Sequence, residues 1–173
     1  MNAQSSSSSS ANEVRFAINL AAVPLPWWKW HSHEIGGDLD RAVKEHDGLY
    51  RDRLRPSAQY AGGPDQTWWS VTDAASAQRA GADVARALDQ DGLPILLRLL
   101  DRREMLEAAR RGALGVGVRD PRRAVAVLLT AEAPSRELAA LLDELEVLED
   151  AHLRSKYRPL VDWCRATVQT ATD

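Results

Sequence analysis

If this chain carries chemistry, it sits among three histidines and a run of aromatic residues. His31 and His33 flank Ser32 in Trp27-Trp28-Lys29-Trp30-His31-Ser32-His33-Glu34, and His46 follows a short way downstream. On a strand, residues two apart share a face. His31 and His33, joined by His46 or Glu34, would then form a His and carboxylate set able to hold Zn²⁺ with an open position for hydrolysis. The spacing alone does not make such a site, because His-x-His recurs by chance and no third ligand stands at a diagnostic interval. No cofactor is expected. The sequence has no phosphate loop, nucleophile elbow, dinucleotide glycine pattern or zinc-cysteine cluster, and Gly115-x-Gly117 lacks the third glycine. Cys164 falls on the apolar face of a helical segment and reads as a core residue.

The tryptophans suggest recognition instead. Pro24 and Pro26 bracket the start of the aromatic run, which argues for an edge strand or a loop. Exposed tryptophans concentrate at interfaces. Trp68 and Trp69, adjacent in a strand, must point to opposite faces. One packs on helices, and the other lies on the open sheet face with Arg51 and Arg53. Trp27, Trp28, Trp30, Arg51, Arg53 and Trp69 are therefore the candidate binding residues, with a protein as the expected partner.

Charge narrows the partner class. Net charge is -3, which gives no global attraction to nucleic acid or anionic lipid. Residues 98–123 carry eight arginines against Asp101, Glu104, Glu107 and Asp120, while 132–150 carry seven acids against Arg136. Such blocks are solvated faces, partner faces or internal complements. The acidic block would repel phosphates beside the basic one, so nucleic acid is not the expected partner. No apolar run is long enough to cross a bilayer, so no membrane partner is expected. The N-terminus lacks the basic start and apolar core of a secretory leader, and one cysteine cannot form an internal disulfide. A cytoplasmic location is the expectation.

The elements that would position these residues follow from periodicity. Residues 1–12 read as a disordered Ser-rich tail. Val14, Phe16, Ile18 and Leu20 alternate with Arg15, Ala17 and Asn19, the pattern of a half-buried strand. A short helix over 38–46 would share Leu39, Ala42 and Val43. Strands are expected at 49–55 and 67–71, separated by a Gly- and Pro-rich loop over 56–65. Thr72 and Asp73 start a helix that Gly92 stops, and Pro94 permits a new turn through Ile95, Leu96 and Leu99. Asp101, Asp120 and Ser135 start further helices, Gly112 ends one, and segments 121–131 and 135–149 form an antiparallel hairpin. A last helix carries Tyr157, Leu160, Val161 and Cys164, with Pro159 kinking it or opening its main part. Strands first and helices after predict an α+β fold, a small antiparallel sheet in the N-terminal half packed by a helical C-terminal half. Residues 13–173 form a single domain, 13–71 mostly strands and 72–170 mostly helices.

Three motifs also carry a resemblance. They are Phe16-Ala17-Ile18-Asn19-Leu20, then Arg51-Asp52-Arg53-Leu54 with a Gly-rich loop and Trp68-Trp69, then a helix closing on Gly92-Leu93-Pro94. Through them the segment 14–100 resembles a bacterial family, domain of unknown function 4304. The family's usual N-terminal helix and Gly-Phe strand are not apparent in Met1–Asn12, which implies that the first strand is an exposed sheet edge. The resemblance implies a fold and transfers no catalytic residues. The expected function is a non-catalytic protein-binding module, of which an immunity or antitoxin protein would be one form. The alternatives are a metal-dependent hydrolase using His31, His33 and His46, and a nucleic-acid binder using the Arg-rich helices.

Overall fold

The computed structural model describes residues 2–5, 10, 12–57, 61–62, 68–117, 120–132 and 134–170. Its strands are β1 (Asn2–Ser5), β2 (Val14–Ala22), β3 (Tyr50–Arg53), β4 (Ala61–Gly62) and β5 (Trp68–Val71). The helices are α1 (Leu25–Glu34), α2 (Ala74–Ala87), α3 (Leu93–Leu100), α4 (Arg102–Arg110), α5 (Pro121–Leu129), α6 (Arg136–Glu146) and α7 (Ala151–Thr170). An antiparallel sheet in the N-terminal half packed by mostly C-terminal helices is the expected α+β arrangement. Most of the expected 56–65 loop, and Thr67, lie outside the described residues.

β2 is the hub of the sheet. Asn19 pairs with both Asn2 and Arg53, so β1 and β3 lie on opposite edges of β2. Phe16 likewise pairs with both Ser5 and Trp69, so β5 shares an edge with β3. The first long strand is thus central, and the exposed edge expected for it is not found. Asn2–Ser5 pairs as a strand where a tail was expected, and 6–9 lie outside the described residues. Pairing with a distant strand leaves no local periodic signal in a Ser-rich stretch.

β2 is buried on both faces over Ala17–Leu20, not the half-buried strand expected, and Val14 is exposed. Ile18 and Leu20 are buried on the helix side, and Phe16 stacks on Trp69 with ring centroids 5.8 Å apart. Asn19, Arg53 and Trp68 occupy the opposite face. The proline-bracketed aromatic run differs from its expected strand or loop: it is α1. Pro26 sits in the first helical turn, where its missing N–H costs nothing and its fixed φ suits the helix. At about 100° per residue the run places tryptophans all round the helix, and α5, α7 and the segment after α1 cover them. No helix forms over 38–44; Leu39 and Val43 are exposed, and only a 3₁₀ turn at Glu45–Asp47 follows.

The later helices start where their caps predict. Asp101, Asp120 and Ser135 each accept a backbone N–H of the first turn, and Gly112 ends α4 at φ 65°. In α2 the cap is Asp73, one residue past Thr72, closing a reciprocal pair with Ser76. Gly92 is not a stop. The helix runs on through a π turn at Leu88–Gly92 into α3, with the Leu93 N–H donating to the Leu88 carbonyl. Pro94 has no N–H to offer the preceding turn, which favours this wider turn. Gly92 sits in a crowded spot: a Cβ there would lie 2.9 Å from the tip of the Leu54 side chain and 3.1 Å from that of Leu88, so these leucines would have to shift. α5 is buried along its length from Ala124 to Leu129 and packs against α1, α4, α6 and α7. α6 follows it through a short connection as the expected hairpin, and Pro159 lies inside α7.

Candidate functional site

The aromatic residues singled out by sequence are mostly internal. Trp27, Trp28, Trp30 and Trp69 are all buried, and this corrects the expected open face. Trp30 meets the edge of Trp163 on α7 at 5.4 Å, with Arg123 over its ring. The Trp28 indole donates to the Leu39 carbonyl, and Arg41 stacks over its ring at 4.3 Å. Trp27 donates to the Asp47 carbonyl. Trp69 is 0% exposed and donates from its indole nitrogen to Asp83 at 3.0 Å. Its neighbour Trp68 takes the outer sheet face, with Arg53 5.2 Å above the ring. Arg53 thus has a tryptophan partner as expected, but it is Trp68. Arg51 is occupied by the chain itself: its guanidinium donates to the Gly117 carbonyl, and its backbone bonds with Leu114 and Val116.

Two buried carboxylates organise this half of the molecule. Asp47 is 1% exposed. Its oxygens accept both terminal nitrogens of Arg41 at 2.8 and 3.0 Å and the Lys44 amide at 2.7 Å, and His31 Nε2 lies 3.1 Å away. The Arg41 guanidinium holds the Asp47 carboxyl well below the usual carboxylate range. Burial alone would push Asp83 up, but the Ser57 amide, Arg86 and the Trp69 indole outweigh it and leave it lowered. Each is a latch. Asp47 ties the segment after α1 back onto that helix, and Asp83 ties α2 to β5 and to the chain leaving β3.

The three histidines do not meet in one cluster: His31 and His46 both approach Asp47, and His33 points elsewhere. On a helix, residues two apart diverge by about 200°, so the strand geometry that would have paired His31 with His33 is absent. His31 turns to Asp47, while His33 lies against the Trp30 ring. His46 is exposed, 3.8 Å from Asp47. Among the described residues no group of three or more His, Cys, Asp or Glu side chains is placed to hold a metal ion. Burial pushes the Cys164 thiol up to about 12.

The opposed charge blocks meet each other. Arg110 bridges Glu107 and Glu137, and Arg122 bridges Asp120 and Glu144. Arg102 reaches Glu132, and Arg165 on α7 pairs with Asp143 and Glu146. Arg102, Arg110 and Arg122 of the arginine-rich block are therefore committed to the acidic one.

The feature that sequence reasoning missed is α3. Leu93, Leu97 and Leu100 are 39%, 63% and 77% exposed and fall within about 60° on one side of the helix, while Leu99 is buried on the other. Leu100 also lines a groove of about 1050 Å³, together with Leu25, Leu128, Trp163 and Val168, with Lys29 and Arg102 at its polar margin. Leu25 is itself exposed, so the apolar surface continues from α3 into the groove. The signal was present in the sequence: every position of Leu93–Leu100 except Arg98 is apolar, more than one buried face requires.

The family model described as domain of unknown function (DUF4304) matches residues 1–98. The chain belongs to that family. The DUF4304 match takes in every strand, α1, α2 and most of α3, so both carboxylate latches and two of the three exposed leucines lie within it. It also begins at residue 1, and Met1–Asn12 thus fall within the DUF4304 segment. No curated protein and no solved structure matches the chain.

Proposed function

We propose that the protein is a non-catalytic protein-binding module and that its docking surface is the leucine stripe of α3 with the adjoining groove. One observation carries this reading: three leucines on one side of a short helix face outward and lead into an apolar cleft. Scattered exposed leucines are ordinary on a protein surface, but a contiguous apolar patch with a polar margin is characteristic of a binding face. A small inhibitor of a cognate protein, as an immunity protein is, falls within this reading. The cytoplasm is its proposed location, since the only cysteine is buried and has no internal partner. No helix among the described residues is long and apolar enough to cross a membrane.

The test is retention of a partner by the tagged full chain, compared with Leu97→Asp and Leu100→Asp variants that keep the wild-type melting temperature. A protein held by the wild type and released by both variants supports the reading. Identical retention by all three baits would remove the α3 face from consideration.

A further inference from the structure

The groove beside α3 is built across a seam. Leu25 and Lys29 of α1 come from the family segment, while Met105, Leu128 and Trp163 come from helices beyond it. Leu99, Met105 and Leu128 are buried and form its floor, and Trp163, edge-on to Trp30, is a half-buried wall. At about 1050 Å³ the groove is at the upper end of the clefts that hold small molecules, roughly 300–1,000 Å³. Three hydroxyls of its lining spend their protons inside the protein: Thr130, Thr167 and Thr170 donate to the carbonyls of Val127, Trp163 and Ala166. Pro24, Pro26 and Pro134, also in the lining, have no N–H to give. A carbonyl or anionic oxygen set against these groups would lose water without gaining a partner, so the body of a guest must be apolar.

Charge at the margin selects the head group. The charged residues lining the groove are Lys29, Arg102 and Glu132. Arg102 stands 3.6 Å from Glu132, so these two offset each other and Lys29 is the charge in excess. A compact ammonium at the mouth of an apolar groove is matched by a single carboxylate at the end of an apolar chain. We propose that the groove binds an amphiphilic monocarboxylate, of which a fatty acid is the simplest form, with its chain on Leu99, Met105 and Leu128 and its carboxylate on Lys29. Met105, unbranched and adaptable, can repack around chains of different shape. The proposal goes beyond the protein-docking reading and stands on the groove alone, since Leu93 and Leu97 of the stripe do not line it.

Isothermal titration calorimetry of the full chain with decanoate and with decanol tests this. The wild type binds one decanoate per chain. Lys29→Gln weakens decanoate binding by about fivefold and leaves decanol binding unchanged. Leu25→Glu sets a carboxylate on the rim and abolishes decanoate binding, whereas Leu97→Asp, off the groove, binds as the wild type does. Leu25, Lys29 and Leu97 are exposed, so all three variants keep the wild-type melting temperature. A wild type that takes up no decanoate overturns the proposal, and so does binding that Leu25→Glu leaves intact. Binding lost in Leu97→Asp puts the chain on the stripe and overturns the groove site. Equal effects of Lys29→Gln on decanoate and decanol overturn the carboxylate assignment. A chain that binds no decanoate can still retain a protein through α3, so the two readings fail separately.

Discussion

Trp69 donates its indole N–H to Asp83 at 3.0 Å from a position with no solvent exposure, joining the middle of the sheet to α2. The same carboxylate accepts the Ser57 amide and Arg86. Packing and hydrogen bonding at Trp69 are therefore separable. Trp69→Phe keeps most of the stacking on Phe16 and costs about 1–2 kcal/mol through the lost bond. Trp69→Ala also leaves a cavity and costs about 4 kcal/mol. Urea unfolding monitored by circular dichroism measures both. Equal losses would mean that the hydrogen bond contributes most of the effect.

Asp47 gathers Arg41, the Lys44 amide and His31 around one buried carboxylate. Asp47→Ala removes the buried carboxylate that the Arg41 guanidinium and the Lys44 amide share, and it destabilises the fold. The damage concentrates in the segment it ties down. Amide exchange in the variant should speed up across 36–48 and leave α5 protected. A variant with wild-type stability would show that the latch contributes no net stabilisation.

The acid limb of stability follows from the same two carboxylates. Both are held below their ordinary value of 3.8. A lowered carboxyl stabilises the fold above its unfolded-state value, and that contribution is lost as pH falls toward the folded-state value. The urea midpoint is expected to be insensitive to these groups above about pH 5 and to drop below pH 3.8. Asp47→Asn should start lower at pH 7 and fall less steeply in acid. Parallel pH curves for variant and wild type would assign the acid sensitivity elsewhere.

Gly115 has φ 70°, and a Cβ there would stand 1.8 Å from the Arg51 carbonyl oxygen. That carbonyl accepts the Val116 N–H, so the loop cannot retreat without losing its bond to β3. Gly115→Ala should cost about 3 kcal/mol. Gly112 has a similar φ of 65° with only the Pro121 side chain nearby, at 3.4 Å, and Gly112→Ala should cost about 1 kcal/mol. Thermal melts of the pair distinguish crowding from backbone strain alone, and equal losses would leave only the strain.

Cys164 has no solvent exposure, and burial raises its thiol to about 12. Since the thiolate is the reactive form, an aromatic disulfide reagent at pH 8 should label the native protein on the order of 100-fold more slowly than the urea-unfolded chain. Comparable rates would indicate frequent opening of α7.

What could be read from the sequence was local. Asp101, Asp120 and Ser135 cap helices, and Gly112 ends one, because each choice is made within a single turn. The outward position of one Trp-Trp member followed from strand alternation, although sequence could not say which. The rest depended on partners distant in the chain. The aromatic run looked like an edge or loop because Pro24 and Pro26 suit those as well as the start of a helix, and it takes α5, α7 and the segment after α1 together to bury all three tryptophans. Gly92 looked like a stop because the Leu54 side chain packed close against it comes from another element. Asp47 gave no signal, since a buried aspartate is identified by the arginine that folds back onto it.

β2 takes its neighbours from residues 2–5, 50–53 and 68–71. On the ribosome its pairing can therefore be completed only after Val71 has been made, and Leu20 meets α3 later still. The helices from α4 onward pack largely on sequence neighbours and face no such delay. Until α3 emerges, the nascent chain carries the apolar face of β2 without that helix over it, a form in which exposed apolar surface favours aggregation.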